Sequence, residues 1–148
     1  DGTENKIKGG DATANKGGSY TTEIAVYGIC AQGALTIRGT GSLTVNSGSH
    51  TNSGDASTYS AAIYGKGSLT VEGGTVTATG GEAVSSGMAF SIGLYLPGNG
   101  HLSVTGGTLT AIAGESYTIK DGVRDQAEFS RGVYLYGGAM SPCPAAAS

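Results

Sequence analysis

The chain has 148 residues, 28 of them glycine, and a formal net charge of -3 with only 13% charged residues. This length corresponds to one domain. The 8 basic residues are scattered, and no apolar run approaches the roughly 20 residues that span a bilayer. We therefore expect neither a nucleic-acid partner nor a membrane span.

The two ends of the chain differ from its middle. Residues 1–22 are rich in glycine, lysine and asparagine, and we expect them to form an N-terminal tail or an irregular cap. The repetitive segment 23–136 follows, and residues 137–148, rich in small residues, are expected to form a C-terminal tail. The first residue is Asp1 rather than methionine, which indicates removal of a signal peptide or a larger precursor. With low charge and two cysteines, this favours an extracellular or cell-surface location.

The central segment repeats three short patterns in the same order. The first pattern contains a small residue, an aliphatic residue and a tyrosine in that order. It occurs as EIAVYG (23–28), SAAIYG (60–65), SIGLYL (91–96) and SRGVYL (130–135). The second pattern is ALTI (34–37), SLTV (68–71) and HLSV (101–104). The third pattern is GSLTV (41–45), GTVTA (74–78) and GTLTA (107–111). Self-similarity at spacings of about 30 to 40 residues indicates stacked units, here of three short strands each.

Alternating aliphatic residues predict how these units stack. Period-two geometry places the aliphatic residues of each strand on one face, so Leu35, Leu69 and Leu102 should be vertical neighbours in a narrow core. The predicted fold is all-β: a right-handed parallel β-helix of three-stranded coils, with about three full coils and a partial fourth, rising by about 4.8 Å per coil. The segments 47–58, 80–89 and 114–128 then read as insertion loops at one corner.

Two glycine-rich motifs carry a family resemblance. GGTVTATGG (73–81) and GGTLTAIAG (106–114), with the preceding SLTVE and HLSVT, resemble β-helical repeats of Gram-positive bacterial surface proteins, often labelled carbohydrate-binding domains. The resemblance covers roughly residues 25–135. It implies a non-catalytic β-helix, and some relatives look like pectate-lyase-type helices that bind acidic polysaccharides through calcium. That role needs clustered carboxylates, which this chain mostly lacks.

Four tyrosines form the candidate binding surface. Tyr27, Tyr64, Tyr95 and Tyr134 share one repeat position, next to the expected inward residues Val26, Ile63, Leu94 and Val133. An outward ladder of phenol rings about 4.8 Å apart could stack on sugar rings or on another protein. The alternative is that the insertion loops or the N-terminal segment cover this ladder.

Catalytic and metal-binding groups are sparse. The expected outward strand positions are mainly threonine, serine, glycine and tyrosine, without the paired carboxylates of a lyase or glycosidase, so we predict that the protein is not an enzyme. Asp121, Asp125 and Glu128 could bind calcium, but their spacing matches no defined loop, and we interpret them as a solvated charged loop. No cofactor is predicted beyond this calcium option. Threonine ranks such as Thr75, Thr77 and Thr79 are ordinary outward β-sheet residues.

The two cysteines allow three arrangements. Cys30 lies in the first predicted coil and Cys143 lies beyond the partial fourth, a separation of about 14 Å, whereas a disulfide needs Cα atoms within about 7 Å. An internal bond requires the last residues to fold back along the stack, and eight residues can reach roughly 26 Å. A bond between the ends of two molecules and a pair of free thiols are the other arrangements.

The ends of the predicted stack suggest a function. A β-helix has unpaired backbone groups at both ends, and neither end of this sequence carries a recognisable helix or a strongly charged cap. A contact between the first coil of one molecule and the last coil of another would continue into a filament. The sequence therefore predicts a non-enzymatic extracellular structural or adhesive protein that stacks head to tail into surface fibres. The alternative is a polysaccharide-binding module of a bacterial surface protein that uses the tyrosine ladder.

Overall fold

The computed structural model describes residues 2–17, 23–126, 129–136 and 139–140. Within these ranges the regular structure consists of strands β1 to β17. The described residues contain no helix, and hence no helix long and apolar enough to cross a membrane. The predicted all-β class is confirmed.

The strands form four sheets, called A to D below. Sheet A contains β1 (Glu4–Lys8), β5 (Ser42–Asn46), β9 (Thr75–Thr79) and β13 (Thr108–Ile112). Sheet B contains β2 (Ala12–Ala14), β6 (His50–Asn52), β10 (Ala83–Ser85), β14 (Ser116–Lys120) and β15 (Val123–Gln126). Sheet C contains β3 (Glu23–Ala31), β7 (Ser57–Gly65), β11 (Ala89–Pro97) and β16 (Ser130–Tyr136). Sheet D contains β4 (Leu35–Ile37), β8 (Leu69–Val71), β12 (His101–Val104) and β17 (Ala139–Met140).

The chain visits the sheets in the constant order A, B, C, D and adds one strand to each sheet per pass, except that the last pass adds both β14 and β15 to sheet B. Every described strand pair is parallel except β14 with β15. Leu69 is the register partner of both Leu35 and Leu102, and Ala78 is the partner of both Val45 and Ala111. The vertical neighbours predicted from the alternating aliphatic residues are therefore confirmed.

The prediction of three strands per repeat is wrong, because each pass contains a fourth strand in sheet B. The supposed insertion loops contain β6, β10 and the β14–β15 hairpin. These strands escaped the aliphatic pattern because their buried residues are polar or small: His50 is 3% exposed, and Asn52 and Ser85 are fully buried. The Asn52 side-chain amide donates to the carbonyl oxygens of Lys16, Gly54 and Ala56 and accepts from two backbone N–H groups. Its burial is thus compensated by hydrogen bonds.

The N-terminal segment, expected as a tail or irregular cap, contributes two edge strands. Strand β1 pairs with β5, and β2 pairs with β6, both in parallel. At the other end, β17 pairs with β12, and the remainder of the predicted C-terminal tail lies outside the described residues. We call the layer of β1 to β4 the head end, and the layer of β13, β14, β16 and β17 the tail end.

Serines and glycines join successive layers where sheets A and B meet. The Ser60 hydroxyl donates to the Gly48 carbonyl oxygen at 2.7 Å and accepts from the Gly81 N–H at 3.1 Å. One layer further, Ser91 donates to the Gly81 carbonyl oxygen at 2.7 Å and accepts from the Gly114 N–H at 2.8 Å. Each buried hydroxyl is thereby satisfied and links one layer to the next.

Candidate functional site on the outer face of sheet C

Sheet C separates the main core from a second apolar cluster. The inward cluster contains Ile63 and Leu94, whereas the tyrosines belong to a cluster on the other face. Tyr95 is the register partner of both Tyr64 and Tyr134, so three of the predicted tyrosines form one column. The rings of Tyr95 and Tyr134 stack with centroids 5.3 Å apart, and Tyr64 meets Tyr95 edge-on at 5.6 Å.

Tyr27 does not occupy the same register position as the other three. Its partner is Ala61, and the partner of Tyr64 is Cys30. The repeated tyrosine–glycine pair in EIAVYG and SAAIYG therefore misaligns the first repeat by three residues. In consequence Ile29, not Val26, packs against the core. The Tyr27 side chain still reaches Tyr64, with ring centroids 4.7 Å apart.

A second aromatic row runs beside the tyrosines. It was not predicted from the sequence as part of a site. The rings of Tyr59 and Phe90 stack with centroids 4.5 Å apart, and Phe129 lies 4.8 Å from Phe90. Tyr59 also stacks on Tyr95 at 5.7 Å, which joins the two rows. The signal for this row is present in the sequence, since each of the three rings directly precedes a serine at the start of the repeated tyrosine pattern. We call the two rows together the aromatic face.

Within the aromatic face, most ring surfaces are covered by neighbouring rings. Tyr95 is 7% exposed and Tyr59 is 8% exposed, whereas Tyr136 at the tail end is 65% exposed. A sugar ring packs against the face of an aromatic ring, and parallel stacking uses those faces inside the row. The rings at the ends of the rows are therefore the ones that can accept a further partner.

Burial controls the ionisation of the phenols. It raises the pKa of Tyr95 to about 12, with a further contribution from the negative charge of Glu23. Burial likewise raises the pKa values of Tyr27 and Tyr59, and the Tyr59 hydroxyl donates to Glu23 Oε1 at 3.2 Å. Near neutral pH these phenols are protonated, so they can donate hydrogen bonds but cannot act as phenolate bases.

Two of the three acidic residues that the sequence suggested for calcium binding lie in the β14–β15 hairpin. Asp121 and Gly122 form the turn between β14 and β15, with φ angles of 52° and 77°. These angles fit a type I′ turn, and the Asp-Gly pair is the sequence signal that would have predicted this hairpin. Asp125 lies in β15, and Glu128 lies outside the described residues. In the described ranges, no group of three or more His, Cys, Asp or Glu residues could hold a metal ion.

The hairpin is attached to the preceding layer through Arg124. The Arg124 guanidinium donates to Glu82 Oε1 at 2.9 Å and lies 4.7 Å from the centre of the Tyr117 ring. The Tyr117 hydroxyl donates to Glu115 Oε2 at 2.6 Å, and this hydrogen bond raises the pKa of Tyr117. All four residues of β15 are exposed.

Cys30 is exposed, accepts a hydrogen bond from Gln32 Nε2 at 3.4 Å and has no disulfide partner among the described residues. Cys143 lies outside those residues.

Comparison of the chain with protein-family models, with curated proteins and with solved structures gives no match.

Proposed function

We propose that the protein is a non-enzymatic, extracellular structural or adhesive protein of a bacterial surface, and that it stacks head to tail into fibres. In this proposal the four sheets are the faces of one parallel β-helix with four strands per coil. The constant order of sheets and the parallel register between passes support it. Right-handed winding follows from the general handedness of crossovers between parallel strands.

The observation that carries the proposal is that, among the described residues, an inward column is uncovered at both ends. Ile7, at the head of the column that continues through Val45, Ala78 and Ala111, is 38% exposed, although Val45 and Ala78 are fully buried. At the tail end, Leu109 and Ala111 are only partly buried. A second copy that continues the columns would bury these aliphatic side chains and pair the edge strands. Such a contact joins unlike surfaces and so extends into a filament.

Sheet B imposes a condition on this stacking. Strand β15 adds a fifth strand to sheet B at its tail edge, where the other sheets have four. It lies in the layer that β2 of the next copy would occupy, and it runs antiparallel to β14. Flush stacking therefore requires the β15 hairpin to move aside. Besides its pairing with β14, strand β15 is held by the Glu82–Arg124 ion pair, which is partly exposed, with side-chain exposures of 36% and 51%, so breaking the ion pair costs little.

Electron microscopy of the purified protein tests this function. We expect unbranched filaments whose number rises with protein concentration. Samples prepared with and without reductant separate assembly by strand pairing from assembly by a cysteine bond. Isolated particles of one-chain size at every concentration in both samples would contradict the proposal.

A polysaccharide-binding module is the second candidate, favoured by the exposed Tyr136 ring at the end of the aromatic face. Titration with acidic and neutral glycans, each with and without calcium, tests it. Tyr136→Ala and Tyr134→Ala, which remove the two rings at the tail end, should then weaken binding, whereas Tyr117→Ala, a tyrosine on the hairpin, should not. Binding that is absent, or equal in all variants, would remove this candidate.

A further inference from the structure

The aromatic face carries different side chains at its two ends. Three register columns cross it from head to tail. They are Ala25–Tyr59–Phe90–Phe129, Tyr27–Ala61–Ile92–Arg131 and Cys30–Tyr64–Tyr95–Tyr134. The head end thus presents Ala25, Tyr27 and Cys30, and the tail end presents Phe129, Arg131 and Tyr134.

The two ends are complementary in size. In the first column the tail residue is the large Phe129 ring and the head residue is the methyl group of Ala25. In the third column the tail residue is the Tyr134 ring and the head residue is the small, exposed thiol of Cys30. If a second copy continued the layers, Phe129 would meet a methyl group, and Tyr134 would meet the Cys30 thiol beside the Tyr27 ring. A ring over a thiol is also a favourable sulfur–aromatic contact.

The two ends are complementary in charge as well. The exposed Arg131 guanidinium ends the middle column at the tail, and the Tyr27 ring begins the same column at the head. An arginine over a tyrosine ring is a cation–π contact. The head end also carries the Glu23 carboxylate, which reaches across the face to the Tyr59 hydroxyl. A positive tail therefore faces a negative, aromatic head.

We propose that sheet C makes the specific contact between two copies of the chain. Phe129 of one copy packs on Ala25 of the next, Arg131 on Tyr27, and Tyr134 on Cys30. This inference rests on the head-to-tail stacking proposed above, and it names the surface and the polarity of that stacking.

Two variants, each with one blocked end, test the polarity. Arg131→Asp blocks the tail by removing the cation, and Tyr27→Arg blocks the head by placing a second cation opposite Arg131. A head-to-tail contact needs one free head and one free tail from different molecules. Each variant alone should therefore be monomeric, whereas an equimolar mixture should assemble with the two variants in alternation, because Arg131 of one variant meets Tyr27 of the other and the two substituted side chains have opposite charges. Native mass spectrometry with one variant isotopically labelled distinguishes mixed assemblies, which should contain nearly equal numbers of the two variants, from assemblies of one variant.

Matched variants separate this contact from effects on folding. Arg131→Lys keeps the cation and should retain at least a large part of the assembly, and Lys66→Ala removes a cation from a middle layer and should leave assembly unchanged. If Tyr27→Arg does not fold, as judged by circular dichroism and thermal unfolding, Ala25→Arg blocks the same head end without removing a ring.

Each outcome decides the inference. Mixed assemblies from two variants that are each monomeric alone support it. Filaments of Arg131→Asp equal to those of the wild type would overturn the sheet C contact and leave the fibre function standing. Dimers of Arg131→Asp alone would show a head-to-head contact and overturn the polarity. A wild-type chain that remains monomeric at every concentration would overturn both the inference and the proposed function.

Discussion

Tyr59 and Phe90 lie on adjacent strands of sheet C with ring centroids 4.5 Å apart and ring planes within 3° of parallel. Together they help to cover Ala61 and Ile92, which are fully buried members of the same cluster. A stacked pair of this kind couples neighbouring layers along the axis of the stack. The aromatic face is therefore a source of stability as well as a candidate contact surface.

A double-mutant cycle measures this coupling. We expect Tyr59→Leu and Phe90→Leu each to lower the free energy of unfolding, and the double variant to lose less than the sum of the two. The expected coupling is about 0.5–1.5 kcal/mol, as for other aromatic pairs. Urea unfolding followed by circular dichroism supplies the values. Strictly additive losses would mean that the stacked geometry contributes nothing beyond buried area.

Gly81 should not tolerate a side chain. A Cβ atom at this position would contact the carbonyl oxygen of Gly48 in the layer before it, and it would lie 3.0 Å from the Ser60 hydroxyl. We expect Gly81→Ala to cost about 1–3 kcal/mol, the usual range for overpacking. Gly33→Ala is the control, because a Cβ there has no heavy atom within 4 Å. Equal stability of the two variants in urea unfolding would argue against close stacking of the corners.

His50 should make the protein less stable in mild acid. The side chain is 3% exposed, and burial lowers its pKa, although a hydrogen bond to the Tyr59 backbone opposes the shift. The unfolded chain then binds the proton at a higher pH than the folded chain does. Stability is fully present above the unfolded pKa of about 6.5 and decreases as the pH falls through it toward the lowered folded pKa, by at most about 1.4 kcal/mol per pH unit.

The other histidine provides the control for this effect. Unfolding free energies measured between neutral pH and mild acid should show the same loss in the wild type and in His101→Gln, a variant at an exposed position. His50→Gln should lose less stability over that interval. An identical pH dependence of all three proteins would show that His50 takes up its proton equally well in the folded state.

Loosening the β15 hairpin should promote assembly. Arg124→Ala removes the contacts to Glu82 and Tyr117, and Gly122→Val places a β-branched residue at a φ of 77°. Both variants should raise the assembled fraction at a given concentration, as measured by light scattering, and Lys66→Ala should not. Thr118 and Asp125 are register partners, so cysteines at both positions would fix β15 to β14. This variant is made in a background of Cys30→Ser and Cys143→Ser, so that no other thiol can pair. Its oxidised form should have the smallest assembled fraction of all these proteins.

The aliphatic part of the fold could be predicted from the sequence because its pattern is regular. Leucine and valine at alternate positions identify the inward face of sheets A and D, and the register of Leu35, Leu69 and Leu102 follows from stacking equal patterns. Sheet B could not be found in this way. Its inward residues, such as Asn52, are held by hydrogen bonds to the backbone rather than by apolar contacts.

The candidate site was predicted only in part for a similar reason. Tyr64, Tyr95 and Tyr134 share a column as expected, because each directly follows an aliphatic residue that packs in the core, namely Ile63, Leu94 or Val133. The sequence placed Tyr27 in this column because the Tyr-Gly pair at 27–28 matches the one at 64–65. The structure instead aligns the two strands by their inward residues, Ile29 and Ile63. The stacking of Tyr59 on Tyr95 depends on side-chain directions across the sheet, and strand periodicity alone does not determine these.

Sedimentation velocity of the wild-type protein, over a wide range of concentrations and without reductant, tests self-association most directly. We expect a series of species at whole-number multiples of the mass of one chain. The mass fraction of the larger species should increase as the concentration rises. One boundary at the mass of a single chain throughout that range would contradict the account.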